Sequence, residues 1–167
     1  MKTLIVYATK YGCAEKCGKI LAEKLSGAVD LCNLKETKDI DLAPYGKIII
    51  GGSIYAGKVQ KEVTRFCLDH GEELLKKNLG LFICGMLQDK AEEELEHAFG
   101  PELIKHALVH EFLGGEFRFK RMNFVERLMV KMVTKGDKNL PSIDMSKDLS
   151  AISEEKILKL ARIMNQA

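Results

Sequence analysis

Leu4-Ile5-Val6-Tyr7-Ala8-Thr9-Lys10-Tyr11-Gly12-Cys13-Ala14 is the stretch that decides the fold. Its first five residues are apolar or aromatic with no polar alternation, the pattern of a short strand buried on both faces of a parallel sheet. A turn follows at once. From Ala14, small or apolar residues recur at Cys17, Ile20, Leu21 and Leu25 with lysine and glutamate between them, and Gly27 closes the pattern. That is the period of an amphipathic helix and the residue that ends one.

The same alternation continues outward. Residues 28–34 form a second short strand, residues 37–45 are a polar loop with Pro44, and K-I-I-I-G at 47–51 is the third strand. A helical pattern runs through Val59, Val63, Phe66, Cys67 and Leu74, with Gly71 as a point of interruption. Residues 79–84 are a fourth strand, 92–99 a helix and 107–113 a fifth strand opening into Gly114 and Gly115. Ser153 caps a last helix whose Glu154 and Glu155 complement its dipole and whose Ile157, Leu160, Ala161 and Met164 share one face. Five alternations of strand and helix predict an α/β doubly wound parallel sheet with helices on both faces and right-handed crossovers. Ligands in such sheets bind beyond the carboxyl ends of the strands, near the topological switch point.

Length and composition set the outer bounds. The chain has 167 residues, 46% hydrophobic and 30% charged, with 3 prolines, which suits one domain over residues 1–167 and excludes collagen-like, disordered and cysteine-stapled classes. A net charge of +2 gives no nucleic-acid partner without a concentrated basic patch. The five cysteines are odd in number and none has C-x-x-C spacing, so free thiols in a reducing cytoplasm are expected. A strand-like run follows a single lysine, and no apolar stretch approaches the ~20 residues that span a bilayer, so neither a secretion signal nor a membrane-spanning helix is expected.

Three loops are candidate ligand contacts. Thr9, Lys10, Tyr11, Gly12, Cys13 and Ala14 join a strand to a helix N-terminus, where exposed amides and the Thr9 hydroxyl attract a phosphate and Gly12 permits close approach. The alternative is an ordinary strand-to-helix turn. Neither G-x-x-x-x-G-K-[ST] nor G-x-G-x-x-G is present, which favours a monophosphate over a nucleoside triphosphate or dinucleotide. Ser53, Ile54, Tyr55, Ala56 and Gly57 follow the third strand; Tyr55 either stacks on a flat heteroaromatic ring or covers the end of the core. Cys84, Gly85, Met86, Leu87 and Gln88 follow the fourth strand as a weaker third contact.

Together these loops resemble the flavodoxin-like family, which implies FMN, a phosphate loop after strand one, ring loops after strands three and four, and strand order 2-1-3-4-5. The family's phosphate loop looks like [ST]-x-T-G-x-[ST]; Thr9 and Gly12 match, while Tyr11 and Ala14 replace hydroxyl residues. A closer resemblance covers almost the whole chain and is to the flavodoxin-domain group that includes menaquinone-dependent protoporphyrinogen oxidase. It rests on Y-A-T-K-Y-G from Tyr7, G-G-S-I-Y-A-G from Gly51 and G-G-E-F-R-F-K-R-M-N-F-V-E-R-L-M-V-K-M-V from Gly114. The resemblance implies an FMN-dependent oxidoreductase passing electrons from a reduced substrate such as a porphyrinogen to a quinone, with the flavin and no catalytic side chain doing the chemistry. A flavodoxin-like electron carrier docking on redox proteins is the alternative. A domain that has lost FMN is a third reading, kept open by the absent hydroxyls.

The third of these segments is a basic insertion before the last helix, residues 117–137. Between Phe117 and Lys135 it holds Arg118, Lys120, Arg121, Arg127, Lys131 and Lys135 against Glu126 alone, a surplus of five that leaves the rest of the chain at −3. Val125, Leu128, Met129 and Met132 fall at helical spacing, with Met122, Phe124 and Val133 widening the apolar face. Such a helix either lies on an anionic membrane or acidic partner, or packs its apolar side on the sheet. His70, His97, His106 and His110 show no metal-ligand pairing, Cys13 reads as an inert small residue, and Glu92, Glu93, Glu94 and Glu96 read as an acidic helix face.

Overall fold

The computed structural model describes residues 1–136 and 144–167. In chain order the first strands are β1 (Thr3–Ala8), β2 (Val29–Asn33), β3 (Lys47–Tyr55), β4 (Lys58–Val59), β5 (Asn78–Cys84) and β6 (Val109–Phe112). All but β4 form a parallel sheet in the order β2-β1-β3-β5-β6, which is the expected 2-1-3-4-5 when the parallel strands alone are counted.

Two-residue alternation divides each central strand between two helix layers. Leu4, Val6, Ala8, Ile48, Ile50, Leu79, Leu81 and Ile83 share a core with α2 (Lys61–Leu74) and α3 (Ala91–His106). Ile5, Tyr7, Ile49, Phe82 and Cys84 share the other with α1 (Cys13–Lys24) and α5 (Glu154–Gln166). The unbroken L-I-V-Y-A run is therefore apolar because both of its sides are inside. Ser153 caps α5, its hydroxyl accepting from the Lys156 amide at 3.3 Å.

Three elements differ from the expected bounds. β3 does not stop at Gly51 but continues to Tyr55, pairing Gly51, Gly52 and Ser53 with Phe82, Ile83 and Cys84 of β5. The glycines are needed there for space, since a Cβ on Gly51 would overlap the Phe82 ring and one on Gly52 would meet Val59. The strand then reverses through Ala56 and Gly57, both at positive φ (49° and 74°) as a type I′ hairpin turn requires. α3 runs beyond Phe99 because Pro101 starts a second helical segment after a break at Gly100. α2 starts at Lys61 rather than Val59, which pairs in the hairpin as part of β4, and Gly71 does not interrupt it.

The insertion leaves the sheet through β7 (Glu116–Phe117), forms α4 (Phe124–Gly136) and returns through β8 (Leu149–Ser150), which pairs antiparallel with β7. Asp137 and the side chain of Val133 lie outside the described residues. Phe119, fully buried, anchors the excursion, and Arg127 donates from Nε and Nη2 to the Phe119 carbonyl at 2.9 and 2.6 Å. The apolar stripe of α4 does not pack on the sheet: Phe124 is 80% exposed and Met132 68%, with Val125, Leu128 and Met129 also exposed.

Candidate functional site

β1 sends the chain to β2 on one side and β3 takes the other, so the switch point lies between the carboxyl ends of β1 and β3. Thr9 and Ser53 meet there. The Ser53 hydroxyl donates to Thr9 Oγ1 at 3.1 Å, the Lys10 amide donates to Ser53 Oγ at 3.3 Å, and the Gly12 amide donates to Thr9 Oγ1 at 3.0 Å. Gly12 is the N-cap of α1 at φ 91°, a left-handed conformation that favours glycine, and no side chain caps the helix. An uncapped helix start, two linked hydroxyls and a loop without a Cβ at its tip have the chemistry of a candidate anion cradle.

Arg118 completes that cradle from the insertion. Its Nη1 is 3.6 Å from where a Cβ on Gly12 would stand. Glu116 orients it, accepting from Arg118 Nε at 3.2 Å and Nη2 at 3.1 Å as well as from Lys16 Nζ and Ser150 Oγ. Burial works to raise the Glu116 carboxyl, but Lys16 and Arg118 outweigh it and hold it below the usual range. Two cations, Lys16 and Arg118, thus meet at Glu116 beside the start of α1. A cleft of about 210 Å³ lined by Glu116, Arg118, Asp148, Leu149 and Ser150 opens beside them.

Tyr55 stands at the end of β3 with Lys10 Nζ 3.4 Å from its ring centroid and Tyr11 edge-on at 6.5 Å. Glu126 binds this group together. Its Oε1 accepts from Lys10 Nζ at 2.6 Å and from the Tyr55 hydroxyl at 2.9 Å. Its Oε2 accepts from the Asn123 amide at 2.9 Å while Asn123 Oδ1 accepts from the Glu126 amide at 2.9 Å, a reciprocal capping pair at the start of α4. Lys10 first and Tyr11 second hold the Glu126 carboxyl down to about 2. Burial first and the Glu126 carboxylate second push the Tyr11 phenol up to about 12. Burial works to lower the Lys10 ammonium, but Glu126 and Tyr55 outweigh it and keep it raised.

The other expected residues fall into two groups. Ile54 is half-buried against Gly85, whose amide donates to the Gly114 carbonyl at 3.1 Å, so the third loop abuts the end of β3. Met86 and Leu87 are half-exposed beyond it, Ala56 and Gly57 are exposed at the hairpin tip, and Gln88 turns away to accept from Lys156 Nζ at 2.9 Å. Cys13, Ala14 and Cys84 face inward instead, buried in the layer beneath the loops. Cys13 is not isolated there, since its sulfur lies with those of Cys17 and Cys84. The Cys17 and Cys84 thiols hold the Cys13 thiol well below its ordinary value, and the contact with Cys13 raises both of theirs. Glu94 is likewise not part of a solvated face: it is buried with Oε2 unpartnered, and burial raises its carboxyl to about 7.

Sequence reasoning missed Arg118 as a neighbour of Gly12 and Glu126 as the bond between insertion and site. The second had a signal in N-F-V-E from Asn123, the capping-box spacing. The first had none, because only the return of β8 beside β7 sets where Arg118 points.

A family model described as a flavodoxin domain matches residues 4–144. Protoporphyrinogen IX dehydrogenase [quinone] of Escherichia coli K12 is 20% identical over 97% of this chain and 93% of its own. Among solved structures, a WrbA-like flavodoxin from Agrobacterium tumefaciens superposes with TM-score 0.57 at 14% identity, covering 99% of this chain and 96% of that one. The rubredoxin oxygen:oxidoreductase of Desulfovibrio gigas superposes with TM-score 0.56 at 15% identity over 99% of this chain, which spans only 35% of that enzyme.

Proposed function

We propose that this chain, which belongs to the flavodoxin domain family, is an FMN-dependent oxidoreductase that passes electrons from a reduced substrate of the porphyrinogen class to a quinone. One observation carries the reading: the linked Thr9 and Ser53 hydroxyls, the uncapped start of α1 and Arg118 form an anion cradle beside an aromatic residue at the switch point. The residues fit the cofactor's phosphate end, with Ser53 and Arg118 supplying the polar partners that Tyr11 and Ala14 do not. At the ring end Tyr55 offers an aromatic face and the third loop supplies small residues, while Lys10 already lies on Tyr55, so a bound ring competes with that ammonium.

When bound, FMN supplies the redox chemistry. The chain's residues bind and orient it: Thr9, Ser53, Gly12 and Arg118 take the phosphate, and Tyr55, Ile54 and residues 85–87 border the ring. Lys10 and Glu126 hold a fixed ion pair at its edge. The exposed apolar stripe of α4, flanked by Lys120, Arg121, Lys131 and Lys135, favours docking of the insertion on an anionic membrane surface that holds the quinone, on the cytoplasmic side. Among the described residues no helix is long and apolar enough to cross a membrane. The same exposed stripe favours the second reading, an electron carrier docking on a redox protein.

The test begins with the flavin absorption of the purified protein and titration of the apoprotein. Absence of flavin and no binding at micromolar FMN refute both readings. With FMN bound, oxidation of protoporphyrinogen with a menaquinone analogue supports the enzyme; electron exchange only with ferredoxin-type proteins supports the carrier.

A further inference from the structure

α1 begins with Cys13, and Cys17 lies one turn later on the same face. Cys84 is the last residue of β5, on the side of the sheet that α1 covers. The three sulfurs all lie within 4.8 Å of one another, with Cys84 Sγ 3.5 Å from Cys17 Sγ. All three residues are buried, at 6%, 0% and 1% exposure. Cys67 belongs to the core on the opposite side of the sheet, and Cys32 is only partly buried against that same opposite core.

A planar ion with three sulfur ligands at about 2.3 Å holds those sulfurs about 4.0 Å apart, within the spacing found here. No His, Asp or Glu joins the three among the described residues, so the tetrahedral set of a structural zinc site is not assembled. Three soft ligands without a fourth select a soft ion content with low coordination, of the Cu(I) type. The three sulfurs belong to the apolar core that also holds Tyr7, Phe82, Leu113 and Leu160. Cys13, the first residue of α1, is the most accessible of the three.

We propose that Cys13, Cys17 and Cys84 form a three-sulfur site for a soft monovalent metal ion, Cu(I) being the probe of that class. The ion clamps the start of α1 to the end of β5, and so joins two of the loops that border the candidate cofactor edge. The site stands independently of whether FMN binds.

The full chain, reduced and anaerobic, is titrated with Cu(I) delivered from its bicinchoninate complex. Withdrawal of one equivalent from the chelator is expected, with copper X-ray absorption showing three sulfur neighbours at about 2.3 Å. Cys17→Ser and Cys84→Ser each weaken the affinity by about 100-fold or more, whereas the Cys32→Ser/Cys67→Ser double variant binds as the unmodified chain does. Because a serine in the core can disturb folding, the absorption measurement on the unmodified chain decides the matter without the variants. Failure of the unmodified chain to compete with the chelator overturns the proposal. So does a two-sulfur environment, or loss of the bound equivalent in a Cys32→Ser/Cys67→Ser variant whose circular dichroism and urea midpoint match those of the unmodified chain.

Discussion

Replacing Glu126 with glutamine keeps the side chain's shape and removes the charge that ties α4 to the loop after β1. Its Oε1 accepts from Lys10 Nζ at 2.6 Å and the Tyr55 hydroxyl at 2.9 Å, and Oε2 from the Asn123 amide. A hydrogen bond to a charged group contributes about 1.5–3 kcal/mol, but the Lys10 side chain is 34% exposed and solvent screens the pair. The glutamine oxygen can still serve one of the neutral donors. The expected loss is therefore about 1–2 kcal/mol at pH 7, or about 2–8 °C in Tm for a chain of this size. The sign of the pH dependence follows from a carboxyl held at about 2 against an ordinary 4.5. Its stabilisation is complete above about pH 4.5 and disappears as pH falls toward 2. Urea unfolding of the apoprotein and of Glu126→Gln at pH 7 and pH 3 should show the gap shrinking at the lower pH. Repeating the substitution in a Lys10→Met background should remove most of it. A gap that is the same at both pH values, or unchanged without Lys10, would refute the ion pair as the bond between insertion and site.

Arg118→Ala should weaken FMN about 10-fold and leave riboflavin affinity unchanged, because the lost contact is to the phosphate; equal losses for both ligands count against the cradle. Glu94→Gln should stabilise by about 1–2 kcal/mol at pH 8 and by nothing at pH 4, since a buried carboxyl raised to about 7 penalises the fold only as pH climbs from 4.5 through 7; a pH-independent effect refutes that cause. Gly51→Ala should cost about 3 kcal/mol in chemical unfolding by forcing a methyl into the Phe82 ring, and Phe82→Leu in the same chain should recover part of it. Ala56→Gly should stabilise the apoprotein by about 1 kcal/mol by relieving its positive φ at the hairpin tip, read from the urea midpoint.

The fold was legible where local chemistry and burial agree. The two-sided burial of residues 4–8 shows as an unbroken apolar run, and Ser153 with two glutamates marks a helix start from a few residues of context. Thr9, Gly12, Ser53 and Tyr55 were legible as neighbours at the switch point because its position depends only on the order of elements. What was not legible depends on contacts between residues far apart in the chain. Ser53, Ile54 and Tyr55 read as a loop beyond the third strand, yet they lie inside β3, where Gly51 and Gly52 leave the space that Phe82 and Val59 occupy. Cys13, Cys17 and Cys84 have no metal-binding spacing in sequence, since the third comes from a strand whose facing is set by sheet pairing.

The insertion shows how far charge counting carries. Its surplus of five positive charges read as one basic surface, but the structure divides it. Arg118 turns back to Glu116 and the start of α1, and Arg127 is spent on the Phe119 carbonyl, while Lys120, Arg121, Lys131 and Lys135 remain outside. Glu126, the single acid between Phe117 and Lys135, is the residue that fastens the helix to the loop after β1. A segment that contributes one arginine to the anion cradle and one carboxylate to the edge of the ring region is part of the site itself. Whatever surface its exposed Phe124, Val125 and Met132 meet is therefore linked through Glu126 to Lys10 and Tyr55 at the end of β3, and docking at α4 has a direct physical route to the candidate site.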